Sequence, residues 1–155
     1  MKYILLIFTL IFSACSIKDY EQTQTKIIII KSPKLRFADV GYVRNSSKSI
    51  ELELFTAGQS VEKITINHLI CVSDGCMSKS GFNEEYLSSF YPNDILQNIL
   101  LSKAIYNGRN LIKTADGFEQ YIKNKNINIV YKVTSKVIYF KDKKNSILLK
   151  LKDIK

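Results

Sequence analysis

Apolar and polar side chains alternate with a period of two along much of this chain, which is the pattern of β-strands that bury one face. Residues 49–56 show it most clearly, with Ile50, Leu52 and Leu54 on one face and glutamates on the other. Residues 61–72 continue the alternation. Weaker stretches of the same kind are residues 26–30, 35–43 (with Gly41 as a possible bulge), 118–123, 127–133, 136–140 and 147–151. The sequence therefore predicts a sheet made mostly of antiparallel hairpins.

The middle of the chain has the three- and four-residue spacing of helices instead. Residues 82–90 predict a short helix capped by Asn83, and residues 94–106 predict a second helix that ends at Asn107-Gly108. Strands on both sides of a helical insertion indicate an α+β fold. We expect a curved, mostly antiparallel sheet, an unclosed barrel or half-barrel, with about two helices over its concave face.

The N-terminus has the composition of an export signal. Lys2 precedes an apolar run, residues 3–12, that is too short to cross a bilayer permanently, and Ser13-Ala14 supply the small residues of a cleavage site. Residues 12–15, Phe-Ser-Ala-Cys, resemble the lipobox of bacterial lipoproteins, which implies cleavage after residue 14 and lipidation of Cys15. The alternative is an ordinary signal peptide followed by a chance cysteine.

These features divide the chain into three parts. Residues 1–14 are the predicted signal peptide, residues 15–25 a polar, flexible tether that begins with the lipidated cysteine, and residues 26–155 a single domain. Stable membrane residence needs more than one acyl chain, as the lipobox implies. The mature protein is thus expected to be tethered to a membrane without spanning it.

The formal net charge of +9 leaves several partners open. Nucleic acid is not expected outside the cytoplasm, so anionic lipid head groups, lipopolysaccharide phosphates and the bilayer surface are the candidates. Alternatively, the lysines only solubilise the surface.

Cys71 and Cys76 remain as a pair once Cys15 carries lipid. They flank Asp74-Gly75, a strong turn signal, so they can face each other across a tight hairpin and form a disulfide in an oxidising compartment. The competing interpretation is a Cys-x4-Cys metal site, but one histidine and no further cysteine supply too few ligands for zinc.

Few side chains offer catalytic chemistry. His68, the one histidine, falls on the same predicted face as neighbouring isoleucines, where a histidine is more often a core residue than a ligand or base. The chain has no Gly-x-Ser-x-Gly, phosphate-binding loop or His-Glu-x-x-His. The acidic pair Glu84-Glu85 is better explained by the favourable charge of a helix start, and Asp116 and Asp142 as turn residues. We therefore expect no enzyme, no cofactor and no metal.

An apolar sheet face under helices can enclose a cavity that takes acyl chains, or it can be filled by its own side chains. Both remain possible from the sequence. The predicted lining of the cavity is Ile50, Leu52, Leu54, Ile64, Ile66, Ile129, Tyr131, Ile147 and Leu149.

The order of these features resembles the LolB family of outer-membrane lipoprotein receptors. The resemblance rests on the lipobox, Val40-Gly41-Tyr42-Val43, residues 52–60, the Tyr91-Pro92-Asn93-Asp94 region and the ending over residues 137–154. It implies an unclosed barrel with an acyl-binding cavity that accepts lipoproteins from a periplasmic LolA-like carrier and assists their insertion into the outer membrane. It also implies an insertion loop after the Leu-Glu-Leu strand, which here is Ala57-Gly58.

Ser16 beside the lipidated cysteine is not the aspartate used for inner-membrane retention, so we expect a periplasm-facing location on the outer membrane of a Gram-negative bacterium. A monomer is expected. The alternative function is an accessory lipoprotein that acts as a protein-binding scaffold in outer-membrane or lipopolysaccharide assembly.

Overall fold

The computed structural model describes residues 20–154, so the predicted signal peptide and Cys15 lie outside the described part of the chain. Eleven antiparallel strands form one open sheet, and two helices lie between its sixth and seventh strands. This confirms the prediction of a mostly antiparallel, unclosed sheet with a helical insertion. The strands are β1 Gln22–Lys31, β2 Arg36–Asn45, β3 Ile50–Thr56, β4 Gln59–Ile66, β5 Ile70–Val72, β6 Gly75–Met77, β7 Leu111–Thr114, β8 Gly117–Lys123, β9 Asn128–Thr134, β10 Val137–Asp142 and β11 Ile147–Asp153.

The strand order is β6-β5-β4-β3-β2-β1-β11-β10-β9-β8-β7, which places β1 in the middle of the sheet. On one side β1 pairs with the next strand along the chain, and on the other with the last, through Lys26↔Asp153 to Lys31↔Leu148. The first and last strands of the fold are therefore neighbours.

β1 also corrects the boundary of the predicted tether. The tether was expected to reach Thr25, but Gln22 to Thr25 pair with β2, from Gln22↔Asn45 to Thr25↔Tyr42. Backbone hydrogen bonds hold this segment, and they do not require the apolar side chains on which the prediction depended.

The helices are shorter than predicted. Helix α1 spans Lys79–Tyr86 and α2 spans Ile95–Leu100, followed by a 3-10 turn at Tyr106–Gly108. The predicted cap of α1 was wrong, because Ser78 Oγ accepts the backbone N–H of Gly81 at 3.0 Å. We call α1, α2 and the segment between them the helical cover.

Asn83 has a different role from the predicted cap. Its side chain is buried inside α1, and its amide donates to the carbonyls of Tyr91 at 3.3 Å and Pro92 at 2.9 Å. Asn83 thereby fixes the turn that joins the two helices.

His68 is not a core residue, contrary to the prediction. Strand β4 ends at Ile66, and residues 67–69 turn the chain into β5, where His68 is exposed. Asn67 Oδ1 accepts the N–H of Leu69 at 2.9 Å, the side-chain bond of an Asx turn. This turn interrupts a segment whose alternation looked continuous.

Gly41 lies in a regular part of the ladder, paired with Lys26 and Leu54, so it is not a bulge. The irregularity lies instead in the pairing of β3 with β4, where the register shifts between Leu54 and Phe55. A Cβ at Gly41 would meet Ile28 Cδ1 at 2.5 Å and the carbonyl oxygen of Glu53 at 2.6 Å. Glycine is required here because backbone and core approach closely at this position.

The predicted disulfide is confirmed. Cys71 and Cys76 are directly opposite in the β5–β6 hairpin, with an S–S bond of 2.03 Å. The bond closes the hairpin at one edge of the sheet, and both thiols are used, so neither is free to bind a metal.

Replacing Cys71 and Cys76 together with serine is expected to lower the free energy of unfolding by about 2 kcal/mol, the chain-entropy value for so short a loop. Urea denaturation measures this. A reductant should produce the same loss in the natural protein and none in the variant. Equal stability of the two proteins would mean that the bridge does not constrain the unfolded chain.

Candidate functional site

The inner face of the sheet is apolar from strand to strand. All nine side chains predicted to line an acyl cavity are at most 5% exposed and belong to one core cluster. Their common burial agrees with their alternation, since each strand turns every second side chain to this face. The sequence alone could not show how much space they leave.

The cavity beside three of these side chains is very small. Leu52, Ile64 and Leu149 border an apolar cavity of about 10 Å³, scarcely the volume of one water. Side chains from the sheet, from the loop after β1 and from the helical cover enclose it together. Its other lining residues are Ile30, Ser32, Leu35, Phe82, Tyr86, Leu87 and Leu96.

The helical cover contacts the sheet through aromatic and aliphatic side chains. Phe82 and Tyr86 stack with parallel rings 4.7 Å apart, and the Tyr91 ring meets Phe140 of β10 edge to face at 5.8 Å. Lys34, in the loop after β1, pairs with Glu85 and lies 5.4 Å from the centre of the Tyr86 ring. These contacts close the apolar face from solvent.

One polar contact joins the helical cover to the sheet in the interior. The hydroxyl of Tyr91 donates to Asp142 Oδ2 at 2.8 Å, and both residues are buried. The other oxygen of Asp142 accepts the backbone N–H groups of Asn128 at 3.0 Å and Lys144 at 2.9 Å, and the Asn145 amide donates at 2.6 Å to Oδ2. Asp142 was predicted to be a turn residue. It does hold a turn, but from the buried end of β10.

The environment of Asp142 keeps it ionised. Burial alone would raise its pKa, but the hydrogen bonds from Asn145, Asn128, Tyr91 and Lys144 favour the carboxylate and lower the pKa below its usual value. Burial and this bond to Asp142 raise the pKa of Tyr91, so the phenol stays protonated and donates. The pair is therefore one carboxylate and one neutral hydroxyl.

The low pKa of Asp142 predicts a loss of stability in acid. The unfolded carboxyl titrates near 3.8, so the stabilisation is complete above that pH and is lost as the pH falls through the lower folded value. Urea midpoints measured between pH 5 and 2 should fall more steeply for the natural protein than for Asp142→Asn, which does not titrate. Parallel curves would contradict this assignment.

Gln120 holds the chain after α2. It is fully buried on β8, and its amide donates to the carbonyls of Ile105 at 3.0 Å and Arg109 at 2.7 Å, while its oxygen accepts the N–H of Ile105 at 2.8 Å. Gln120, Tyr91 and Asp142 were not predicted from the sequence to be site residues. The period of two was the signal that could have found two of them. Gln120 lies two residues before the buried Ile122, and Asp142 continues the inward series Ile138 and Phe140, so both fall on the inner face.

The predicted insertion loop is a two-residue turn between β3 and β4. Ala57 and Gly58 are exposed with φ of 51° and 80°, as in a type I′ hairpin turn. Its role in insertion stays a prediction. The bulky exposed apolar side chain nearest to the helices in sequence is Phe90, 53% exposed in the segment between α1 and α2.

A charged cluster occupies the outer face of the sheet. Glu51, only 1% exposed, accepts from Arg44 at 3.0 Å, from Lys63 at 2.9 Å and from the Tyr20 hydroxyl at 2.7 Å. Burial and this carboxylate raise the pKa of Tyr20 to about 12. Tyr20 thereby fixes the end of the tether against β3.

Comparison with protein-family models, with curated proteins and with solved structures found no match. Within residues 20–154, no helix has the length and apolar character needed to cross a bilayer. The same residues contain no group of three or more His, Cys, Asp or Glu side chains placed to hold a metal ion.

Proposed function

We propose that this protein is an outer-membrane lipoprotein, anchored by lipid on Cys15, that binds acyl chains or lipoproteins and assists their insertion into the outer membrane, as in the LolB family. The observation that carries the proposal is the apolar inner face of the sheet, which is shielded by two short helices with an entirely apolar cavity between the layers. Such a surface accepts hydrocarbon without unpaired polar groups.

The dimensions of the layers support a curved sheet. Eleven strands laid flat would span about 50 Å, whereas helices of eight and six residues are only about 12 and 9 Å long. The inner face is nevertheless buried, so the sheet itself has to bend around it. Close backbone approach at Gly41 and at Gly117, where a Cβ would meet the Val133 carbonyl oxygen at 1.9 Å, suits sharp local bending.

An acyl chain needs far more room than the existing 10 Å³, since small-molecule pockets measure several hundred Å³. In the proposed cycle the helical cover moves away from the sheet to admit the chain. The contacts that resist this movement are the Tyr91–Asp142 hydrogen bond, the ring contact of Tyr91 with Phe140 and the ion pair of Glu85 with Lys34. The structure then corresponds to the closed state.

Fluorescent fatty-acid displacement tests the proposal. Residues 16–155 contain every strand and helix that the structure describes, so this non-lipidated form is suitable for titration. Stoichiometric binding is expected. If the domain is folded and no fatty-acid concentration saturates it, acyl binding is refuted.

Tyr91→Phe should bind acyl chains about tenfold more tightly than the natural protein. The variant loses a hydrogen bond to a carboxylate that only the closed state makes, so the closed state loses about 1.4 kcal/mol or more relative to the open one. Tyr139→Phe, which alters a half-buried tyrosine on the outer face, is the matched control and should leave affinity unchanged. Equal affinity of both variants would mean that opening does not limit binding.

The transfer step needs a test in cells. Depletion of the protein should cause other lipoproteins to accumulate in the periplasm on a LolA-like carrier or in the inner membrane. Normal lipoprotein sorting after depletion would refute this part of the proposal.

The scaffold function has its own supporting observation. β7 is an edge strand, and Ile112 on it is 56% exposed, which suits pairing with an added strand from a partner protein. The scaffold function would be favoured if the natural protein captures envelope proteins, Ile112→Lys does not, and neither binds fatty acid.

A further inference from the structure

A second, polar cleft lies at the end of the sheet where β1 begins. Its volume is about 540 Å³, fifty times that of the apolar cavity, and it is open to solvent. Gln22 and Gln24 of β1 form one wall, and Lys79 and Gln97 of the two helices form part of another. The cleft borders the proposed acyl-binding face, since Ile50 and Ile66 belong to both, but its polar side chains have no part in the proposed acyl-chain cycle.

The charges that line the cleft are all positive. Lys48, Lys79 and Lys103 line it, and no aspartate or glutamate does. Lys79 donates to Gln97 Oε1 at 2.9 Å, and neither Lys48 nor Lys103 forms an ion pair with another described residue. Three ammonium groups around a concave surface produce a positive potential that favours an anion such as phosphate.

Asn45 contributes a hydrogen-bond acceptor to the cleft, whereas the lysines are donors. Its Oδ1 is buried in the cleft wall and has no hydrogen-bond partner among the described residues. A buried acceptor without a donor is costly, so a small shift of the Asn45 side chain that presents Oδ1 to a ligand hydroxyl would be favourable. The cleft thus suits a ligand with both an anionic oxygen and a hydroxyl group.

The deeper part of the cleft is apolar. Val43, Ile50, Ile66 and Leu100 line it, and all four are at most 5% exposed and belong to the core under the helical cover. A free phosphate ester would gain nothing from these side chains. A lipid would place its first methylene groups against them.

The position of the cleft also favours a lipid. Gln22 lies seven residues after Cys15, so an extended chain would keep this end of the sheet within about 25 Å of the anchored cysteine. This step rests on the proposed lipidation. The preceding charge and burial arguments do not depend on it.

We propose that the cleft binds the head group of an anionic phospholipid that carries hydroxyls, with phosphatidylglycerol as the chemical type. The phosphate oxygens accept from the lysine ammonium groups, and a glycerol hydroxyl donates to Asn45 Oδ1. Binding is reversible, and no bond in the lipid is broken.

Sedimentation with phosphatidylcholine vesicles, with and without phosphatidylglycerol, tests the site on residues 16–155. Lys48→Gln with Lys103→Gln should weaken binding to the anionic vesicles at least tenfold. The control is Lys113→Gln with Lys123→Gln, the same change of charge at two exposed strand positions outside the cleft, which should weaken it less than threefold. Equal losses in the two pairs would mean general surface attraction and would overturn the proposal.

Asn45→Leu tests hydroxyl recognition. It should weaken binding to phosphatidylglycerol about fivefold. Binding to phosphatidic acid, whose head group lacks the glycerol and its alcohol hydroxyls, should stay unchanged. Equal effects on the two lipids would overturn the assignment of Asn45. Because its Oδ1 has no partner to lose, the variant is expected to fold.

Calorimetry separates a lipid from a free phosphate ester. Short-chain phosphatidylglycerol should bind at least tenfold more tightly than glycerol phosphate, and equal affinities would overturn the lipid assignment. The variant with Lys48→Gln and Lys103→Gln should still bind the fluorescent fatty acid as tightly as the natural protein does. If the natural protein binds phosphatidylglycerol but no fatty acid, the proposed function fails while the head-group site stands.

Discussion

Replacing Asp142 with alanine is expected to lower the free energy of unfolding by about 3–5 kcal/mol, because one buried and three partly buried hydrogen-bond donors would lose their acceptor together. The donors are the Tyr91 hydroxyl, the backbone N–H groups of Asn128 and Lys144, and the Asn145 amide. Urea denaturation followed by circular dichroism gives the change directly. The loss should include the attachment of the helical cover, so near-ultraviolet signals from Tyr91 should weaken as well.

Asp116→Ala is the matched control, since Asp116 is exposed and, within residues 20–154, makes only a long, 3.4 Å contact with Ser135. Its effect should stay within about 0.5 kcal/mol. A loss below about 1 kcal/mol in Asp142→Ala would show that water replaces the carboxylate and that the interior is more open than described.

Gln120→Leu is expected to cost about 3 kcal/mol. Leucine fills nearly the same space but leaves the N–H of Ile105 and the carbonyl of Arg109 without the Gln120 side chain, while the carbonyl of Ile105 keeps only the N–H of Gly108 as a donor. The segment between α2 and β7 should loosen first, and amide hydrogen exchange at Ile105 reports it. The expected result is exchange at least a hundredfold faster at this amide.

Gln59→Leu provides the comparison for this substitution. Gln59 is exposed at the start of β4, and its replacement should change stability by less than about 0.5 kcal/mol. Unchanged exchange at Ile105 in Gln120→Leu would mean that the backbone finds other partners.

The sheet was predictable because burial of one face imposes a period of two on the sequence. Ile50, Leu52 and Leu54 gave strand β3 and its inward face directly. Asp74-Gly75 between two cysteines gave the β5–β6 hairpin and its disulfide. Both signals are local, so no knowledge of the remaining chain was needed.

Two of the errors have a common physical cause, which is that one side chain can serve either of two local structures. Asn83 can cap a helix or bind backbone carbonyls from inside it, and the distant carbonyls of Tyr91 and Pro92 decide which. His68 fits the alternation of its neighbours in sequence and was therefore assigned to the core, but the turn at Asn67 ends the strand before it. Strand β7 was missed because Leu111–Thr114 is short and its pattern lacks a buried face.

The candidate site was only partly predictable. Alternation identified the nine inward side chains, but their packing density depends on how the helices and sheet fit together in three dimensions. Gln120 and Asp142 stood at inward positions, yet polar residues there became interpretable only once their partners were known. The polar cleft joins residues of β1, β2, α1 and α2, which no single stretch of sequence brings together.

The pairing of β1 with β11 has a consequence for folding. A chain released from its N-terminus, as in synthesis or in the proposed export, presents β1 first and its second partner last, so Ile27–Ile30 must wait with one unpaired edge until the final residues arrive. Such an isoleucine-rich edge can pair with a second nascent chain during this interval. Deleting residues 147–155 should therefore convert the protein into aggregates, and holding factors should be most needed during the last moments of its release.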